Sequence, residues 1–386
     1  MNVETILFAL LRMEICGDAV SEEIKAAISP EIVEPLFELS RRHSIAQIVG
    51  NALSKLGTLG QDEASLKFRK WPVEAVTFHI RMSHAFHTIC NTLEAEKISF
   101  IPLKGAVIRQ WYPEAWMRTS SDIDILVRPE DHEAAVKCLI DKCECRYVTR
   151  SSHDVSLYFP GNIYIEIHHT LIEATISEAQ EKVLSGIWDG ACLEDGFGYR
   201  YRMTDAMFRF YHYAHMKKHI KNGGCGIRPF MDLWIMNHRA EQDRTGEEQL
   251  LARGELLAFA NTVEKLSQVW FSGDEADHLT GMLAEFILEG GNGGTLKNRL
   301  SIRQAKTGGK LQYILYRVFM PYNTMKEYYP TIKKHKWLFP FYQIFRWVRL
   351  IFKKDIKRYV EEFSINANTT QKERMLITQL IEELNL

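Results

Sequence analysis

Two aspartates separated by one residue carry the clearest chemical signal in the chain. Asp122 and Asp124 alternate with Ile123 and Ile125 in an apolar run that predicts a β-strand. Side chains two residues apart on a strand share one face and lie about 6.5–7 Å apart. Carboxylates that close repel each other unless a cation lies between them. The pair therefore predicts a divalent metal site for one or two Mg²⁺ ions, since Mg²⁺ takes few carboxylates together with water and phosphate oxygens.

A Lys-Gly step upstream supplies a candidate phosphate site. Lys104 and Gly105 follow residues 98–103, whose apolar character predicts a buried strand. Glycine permits a tight turn and a close approach of backbone N–H groups to phosphate, and a helix beginning at Ala106 would direct its positive end at the same anion. Lys104 adds a point charge. We expect these residues to bind the phosphates of a nucleoside triphosphate (NTP).

Glu166 is the candidate third carboxylate. Tyr164, Glu166 and His168 alternate with isoleucines, so these three side chains share one face of a predicted strand. We expect Glu166 to join the two aspartates as a metal ligand and catalytic group. His168, on the same face, would order that carboxylate, contact the nucleotide or pack in the core.

Arg118 lies in the polar segment between the Lys-Gly step and the aspartates. A fixed guanidinium suits phosphate oxygens, so we expect Arg118 to bind the nucleotide. The alternative is a structural ion pair.

Helix and strand signals divide the chain into three regions. Up to residue 96 the apolar residues recur at helical spacing, and one long helix is expected from about Asp62 to Ala95. Beyond it, predicted strands and helices alternate, with strands at 98–103, 122–127, 145–150, 155–159, 163–167 and 199–203. From Thr204 the pattern is mainly helical. We predict an α+β fold with a helical region at 1–96, a small mixed-sheet core at 97–203 and a helical region at 204–386.

The composition is typical of a soluble globular protein. Lysine plus arginine (48) nearly balances aspartate plus glutamate (49). The net charge of the chain therefore does not indicate a nucleic-acid or acidic partner. The seven cysteines are scattered and include no Cys-x-x-Cys pair, which favours reduced thiols and a cytoplasmic protein. No apolar run is long enough for a transmembrane segment.

The stretch 333–358 interleaves aromatic residues with lysines and arginines. Such a pattern fits the binding of RNA or of a membrane surface. The favoured alternative is an amphipathic helix with its aromatic side chains in the core and its lysines in water.

The motifs together resemble a known family. They resemble the nucleotidyltransferase superfamily and, more narrowly, the bacterial uncharacterised nucleotidyltransferases with their polymerase-beta-like core. The matching residues are Leu103-Lys104-Gly105-Ala106, Arg118, Ser121-Asp122-Ile123-Asp124-Ile125-Leu126-Val127 and Glu166-Ile167-His168. The resemblance implies a nucleotidyltransferase core, an arginine at the place of Arg118, and a later segment in which Arg228 and Asp232 form an internal ion pair.

The activity that the resemblance implies is metal-dependent transfer of a nucleotidyl group from an NTP to an acceptor hydroxyl. Asp122 and Asp124 would hold Mg²⁺ against the triphosphate, Glu166 would help activate the hydroxyl, and pyrophosphate would leave. Lys104 and Arg118 would neutralise charge on the phosphates. An RNA end, a protein and a small molecule all stay open as acceptors.

A second interpretation is a non-catalytic nucleotide-binding or scaffold protein with a decayed nucleotidyltransferase core. Ala106 favours it, because the superfamily usually has a small hydroxyl residue or a second glycine there. The long separation between Gly105 and Asp122 favours it as well.

Overall fold

The structure is a computed structural model, and it describes residues 1–173, 176–307, 310–329, 331–352, 364 and 370–386. The strands are β1 Phe100–Pro102, β2 Asp122–Val127, β3 Arg146–Arg150, β4 Asp154–Phe159, β5 Ile163–His168, β6 Cys192–Leu193 and β7 Tyr201–Arg202. The helices up to residue 253 are α1 Val3–Ile15, α2 Glu22–Ala27, α3 Pro30–Arg42, α4 Ala46–Leu56, α5 Glu63–Ala95, α6 Lys104–Ile108, α7 His132–Cys143, α8 Glu178–Leu184, α9 Asp205–Lys221, α10 Arg228–Asn237 and α11 Glu247–Arg253. The later helices are α12 Leu257–Phe271, α13 His278–Gly290, α14 Leu296–Thr307, α15 Lys310–Val318, α16 Tyr322–Tyr328, α17 Thr331–Lys334, α18 Phe339–Phe352 and α19 Gln371–Glu383.

Two compact units make up the chain. The first comprises Met1–Lys218 with Gly226–Thr280, and the second comprises His219–Cys225 with Gly281–Leu386. The first unit holds the N-terminal helices and all seven named strands. The three-domain division expected from the sequence stays a prediction.

A mixed sheet of five strands forms the centre of the first unit, in the order β1-β2-β5-β4-β3. β2 and β5 run parallel, whereas the other neighbouring strands run antiparallel. The turn between β4 and β5 uses Gly161 and Asn162, both with positive φ, which lets the chain reverse within three residues. Helices precede and follow this sheet, so the predicted α+β fold is confirmed.

The sheet has one apolar face because isoleucines occupy alternate positions of β2 and β5. These isoleucines are buried in one cluster with side chains of α5 and α7. Since side chains alternate across a strand, the intervening residues of β2 and β5 are presented on the opposite face. That opposite face carries the predicted carboxylates.

The C-terminal part of the long helix α5, from Met82 to Leu93, packs against the apolar face of the sheet. Asp62 caps its N-terminus by accepting a hydrogen bond from the Ser65 N–H at 2.8 Å. Pro72 lies inside the helix and does not end it. The helix expected from about Asp62 to Ala95 is therefore confirmed.

The last predicted strand of the core is shorter than expected. Residues 199–203 contribute only the two-residue β7, which pairs with β6. The Phe100 N–H donates to the Tyr199 carbonyl at 2.9 Å, so the segment touches the edge of the main sheet without extending it.

The aromatic stretch of the second unit differs from the favoured expectation. Trp337, Phe341 and Phe345 are exposed, whereas Arg346 of α18 is buried and donates to the Val318 carbonyl at 2.6 Å. Aromatic side chains at these positions are therefore not in a core; residues 353–358 of the stretch lie outside the described residues. Within the described part of the chain, no helix combines the length and apolar character that crossing a bilayer requires.

Candidate active site

Parallel pairing of β2 with β5 brings the predicted acids together. Asp124 lies directly opposite Glu166, and Asp122 lies opposite Tyr164. Asp124 is 6% exposed, while Asp122 and Glu166 are half-buried. The acids thus line one face of two adjacent strands, with Asp124 the most deeply placed.

His168 joins this group from the end of β5. Its Nε2 donates to Asp124 Oδ1 at 3.1 Å and lies 3.4 Å from Glu166 Oε2. Burial disfavours the imidazolium, but the hydrogen bonds to Asp124 and Glu166 outweigh burial and raise the pKa of His168 to about 9. His168 Nε2 therefore lies between the two carboxylates, whose negative charge favours the protonated ring.

Lys104 supplies a second positive charge. Its Nζ lies 3.7 Å from Asp124 Oδ2 and 5.5 Å from the centroid of the Tyr211 ring. Its φ is +38°, a left-handed conformation that costs a non-glycine residue free energy. Strain of this kind persists only where the surroundings enforce it, and here it accompanies an ammonium group directed at Asp124.

The two aspartates titrate in opposite directions. Burial and then the negative charge of Asp124 raise the pKa of Asp122. Burial would also raise the pKa of Asp124, but the Lys104 ammonium and the hydrogen bond from His168 hold it well below its usual range. The ionised form of Asp124 is therefore favoured. The positive charge near Asp122 does not offset the effect of burial on the pKa of that carboxyl.

Gly105 is placed where a side chain does not fit. A Cβ there would lie 2.9 Å from Arg118 Nη1 and 3.1 Å from the Ser120 Cβ. The Gly105 carbonyl accepts a hydrogen bond from Arg109 Nε at 2.7 Å, and Arg109 also donates to the Ser120 hydroxyl at 2.6 Å. The glycine thus lets α6 pack against the segment that leads into β2.

Arg118 has a protein partner. Its Nη2 and Nε donate to the two Asp232 oxygens at 2.8 and 3.1 Å, and the pair is buried. Tyr112 donates to the same carboxylate at 2.7 Å. The implied pairing of Arg228 with Asp232 is therefore wrong, since Arg228 donates to the Thr119 carbonyl at 2.9 Å instead. The contact expected between Arg118 and a nucleotide stays a prediction.

Several residues of this region are not among the site residues predicted from the sequence. Tyr211 of α9 packs beside Lys104, and Arg109 and Ser120 hold the segment before β2. The Ser120 hydroxyl in turn donates to the Asp122 carbonyl at 3.0 Å. Ser120 adjoins the aspartate motif, which was a usable signal, whereas nothing in the sequence links Tyr211 to Lys104.

The donor atoms fit a divalent cation. One ligand atom each from Asp124, Glu166 and His168 lies within 4.8 Å of the others. The two carboxylates offer the oxygen ligands that divalent ions accept, His168 Nε2 contacts both of them, and Asp122 adds a nearby carboxylate whose pKa is raised by burial and by the negative charge of Asp124. We take this group as the candidate metal site.

Two cavities lie elsewhere in the first unit. One has a volume of about 710 Å³ and is lined in part by Trp111, Arg200 and Arg239. The other, of about 340 Å³, lies between α5 and α6. None of the three acids lines either cavity.

Comparison with known proteins gave two matches. The profile of a family described as "Uncharacterised nucleotidyltransferase" matches residues 30–270. Among solved structures, the chain is similar to the antibiotic-resistance factor ANT(2'')-Ia, whose solution structure is described as revealing substrate-regulated conformation dynamics. That match has a TM-score of 0.28 and 8% identity, and it covers 50% of this chain and 91% of the other. A comparison with curated proteins gave no match.

Proposed function

The chain belongs to the uncharacterised nucleotidyltransferase family, and from this premise we propose that it transfers a nucleotidyl group from an NTP to an acceptor hydroxyl with the help of Mg²⁺. The observation that carries the proposal is the convergence of Asp124, Glu166 and His168 on one face of β2 and β5. Asp122 and Lys104 flank this group.

The acids are the residues that would hold Mg²⁺. Asp122, Asp124 and Glu166 supply oxygen ligands, which Mg²⁺ prefers. When bound, the ion supplies charge neutralisation on the triphosphate and lowers the barrier to attack. His168 acts as a positioning residue, because its Nε2 reaches both Asp124 and Glu166 and fixes their carboxylates.

Lys104 and Gly105 are proposed to bind the phosphates. The Lys104 ammonium is partly exposed, so it can exchange its contact with Asp124 for a phosphate oxygen. The Gly105 position carries no side chain between α6 and the Arg118 guanidinium, so positive charge lies close to the backbone there. Arg118 would act through this local potential while bound to Asp232.

The proposed reaction needs only the NTP, the acceptor hydroxyl, the metal ion and a proton acceptor. The acceptor oxygen attacks the α-phosphorus, its proton passes to Glu166, the bond between the α-phosphorus and the bridging oxygen breaks, and pyrophosphate leaves. Glu166 is half-buried and suited to accept a proton from a group arriving from solvent. The acceptor stays open among an RNA end, a protein and a small molecule.

Transfer of label from the α-phosphate tests this proposal. The protein is incubated with Mg²⁺ and each NTP, labelled at either the α- or the γ-phosphate, together with RNA carrying a free 3′ hydroxyl, a protein mixture or aminoglycosides. We expect α-label in one acceptor, release of pyrophosphate, and loss of both with a chelator. Glu166→Gln should slow transfer by about 10²–10⁴-fold, whereas Glu133→Gln, at an exposed residue paired with Arg150, should not.

The alternative outcomes are distinct. Transfer of γ-label would identify a different reaction and contradict the proposal. Binding of NTP without any transfer would favour the non-catalytic nucleotide-binding or scaffold protein.

A further inference from the structure

A second group of metal-ligating side chains lies beside the acids. One ligand atom each from His153, Asp154 and His168 lies within 4.8 Å of the others. Asp154 pairs directly with His168 across β4 and β5, and the His153 ring lies parallel to the His168 ring with centroids 6.0 Å apart. The group shares His168 with the catalytic acids and uses two residues that the proposed reaction does not employ.

One ring nitrogen of His168, Nδ1, is available as a metal ligand. Its Nε2 is committed to Asp124 and Glu166. Among the described residues, none hydrogen-bonds its Nδ1, although the side chain is 95% buried. A buried polar atom without a partner costs free energy, so an unsatisfied nitrogen inside a cluster of ligating groups calls for an explanation.

The turn before β4 holds the other two ligands in place. The Ser151 hydroxyl accepts hydrogen bonds from the N–H groups of His153 and Asp154, both at 3.2 Å. The same hydroxyl lies 3.2 Å from His153 Nδ1 and donates to Asp154 Oδ1. One oxygen of Asp154 and the Nε2 of His153 therefore have no part in the Ser151 contacts. The turn itself is fixed to β5, because the His169 N–H donates to the His153 carbonyl at 3.1 Å.

We propose that His153, Asp154 and His168 Nδ1 form a second metal site, which binds a divalent transition ion of the zinc class. Two imidazole nitrogens and one carboxylate oxygen are the donors that such ions prefer, whereas Mg²⁺ prefers oxygen alone. The ion takes the place of the proton on His168 Nδ1. Three protein ligands leave a further coordination position for water or another group.

The site places Asp124 in the outer shell of this ion. A histidine that ligates a metal through one nitrogen commonly donates its other N–H to a carboxylate, which fixes the ring and strengthens the ligand. The contact from His168 Nε2 to Asp124 Oδ1 has this form. The second site would thus orient a residue of the catalytic group and join the turn before β4 to β5.

Zinc and cobalt titrations of the full-length protein test the site without nucleotide. The protein is titrated calorimetrically with Zn²⁺ in excess Mg²⁺, and with Co²⁺ while its visible absorption is followed. We expect one equivalent of tight binding and a Co²⁺ spectrum without thiolate charge-transfer absorption, which separates this site from the cysteines. His153→Ala and Asp154→Asn should each weaken binding at least tenfold, whereas His87→Ala, which removes an exposed histidine, should leave it unchanged.

Two further variants separate this site from the catalytic acids. Asp124→Asn should weaken Zn²⁺ binding about 10–100-fold through His168, as loss of an outer-shell partner does. Glu166→Gln should retain the tight equivalent. Absence of tight binding by the wild type, or binding lost in Glu166→Gln and retained in His153→Ala, would overturn the second site. Neither result bears on nucleotidyl transfer, which is assayed separately with Mg²⁺ and NTP.

Discussion

The charge of Lys104 near the aspartates was predicted from the sequence, but its left-handed backbone conformation was not. The Lys-Gly step predicted a cation near the aspartates, and the structure places the Lys104 ammonium 3.7 Å from Asp124. The sequence pointed to Gly105 as the residue with conformational freedom, yet Lys104 itself has the positive φ. Residue types indicate which groups are present, whereas the packing of α6 against the segment before β2 decides which residue adopts the unusual backbone.

Substitution of Lys104 separates its backbone strain from its charge. Lys104→Gly and Lys104→Ala both remove the ammonium, but only glycine adopts a φ of +38° without a steric penalty. We expect the glycine variant to exceed the alanine variant by about 0.5–1 kcal/mol in free energy of unfolding, measured by denaturant titration, because the relieved strain exceeds the extra backbone entropy that glycine loses on folding. Both variants should bind Mg²⁺-NTP more weakly than the wild type. A glycine variant less stable than the alanine variant would show that the backbone at this residue is unstrained.

The alignment of elements explains why the acids meet. The sequence predicted that Asp122 and Asp124 share one face of a strand and that Glu166 and His168 share a face of another. It did not give the parallel pairing of β2 with β5 or the register that sets Asp124 opposite Glu166. The apolar alternation fixes which face each residue occupies, but the choice of partner strand and a shift of the pairing by two residues depend on contacts between distant segments.

The same limit applies to the ion pair between Arg118 and Asp232, which joins the segment before β2 to α10. We expected Arg118 to bind the nucleotide, with a structural ion pair as the alternative; the ion pair is present, and its partner Asp232 lies more than a hundred residues further along the chain. The resemblance suggested Arg228 as that partner. The two arginines are distinguished by their contacts in the folded chain: Arg118 donates to Asp232, whereas Arg228 donates to the Thr119 carbonyl.

A double-mutant cycle measures what this pair contributes. Removing one partner of a buried, bidentate ion pair leaves an unpaired charge, so Arg118→Ala and Asp232→Ala should each lower the free energy of unfolding by about 3–5 kcal/mol. The double variant should lose less than the sum of the two. Chemical denaturation of the four proteins gives the coupling energy. Additive losses would mean that the two side chains do not interact, and the placement of Arg118 would then be wrong.

At the scale of the whole molecule, the packing of neighbouring elements determines which side chains of a predicted helix are buried and which are exposed. The alternation of basic and aromatic residues in 333–358 favoured a helix with its aromatic side chains inside, yet Trp337 and Phe341 are 68% and 61% exposed. Periodicity identifies a helix, but the side that faces the core is set by neighbouring elements such as α15, whose Val318 carbonyl binds Arg346. The charge balance of the chain likewise gave no hint that cationic groups gather beside buried acids.

Global stability should fall on mild acidification because of His212. Burial lowers the pKa of His212 to about 4, and its Nε2 donates to the Pro229 carbonyl at 3.1 Å. In the unfolded chain the group titrates near its ordinary value of about 6.5. The unfolded state therefore binds more protons between these values, so the free energy of unfolding is fully retained above pH 6.5 and declines as the pH falls toward 4.

The decline due to this residue should amount to about 3 kcal/mol at most. His212→Gln retains a donor for the carbonyl and cannot titrate, so its free energy of unfolding should depend less on pH across this range. Denaturant titrations at several pH values compare the two proteins. An identical pH dependence in both would contradict the neutral, buried state of His212.

Binding of Mg²⁺-NTP is the most direct test of the central claim, that Asp122, Asp124 and Glu166 gather a divalent ion and thereby a triphosphate. Each of the four common NTPs is titrated calorimetrically into the wild type, Asp122→Asn/Asp124→Asn, and the control Asp141→Asn, whose carboxylate pairs with Lys137 at the surface. Thermal unfolding confirms that each protein is folded. The account predicts Mg²⁺-dependent binding of at least one NTP by the wild type and the control, and none by the double variant. Equal binding by all three proteins, or none by the wild type, would contradict it.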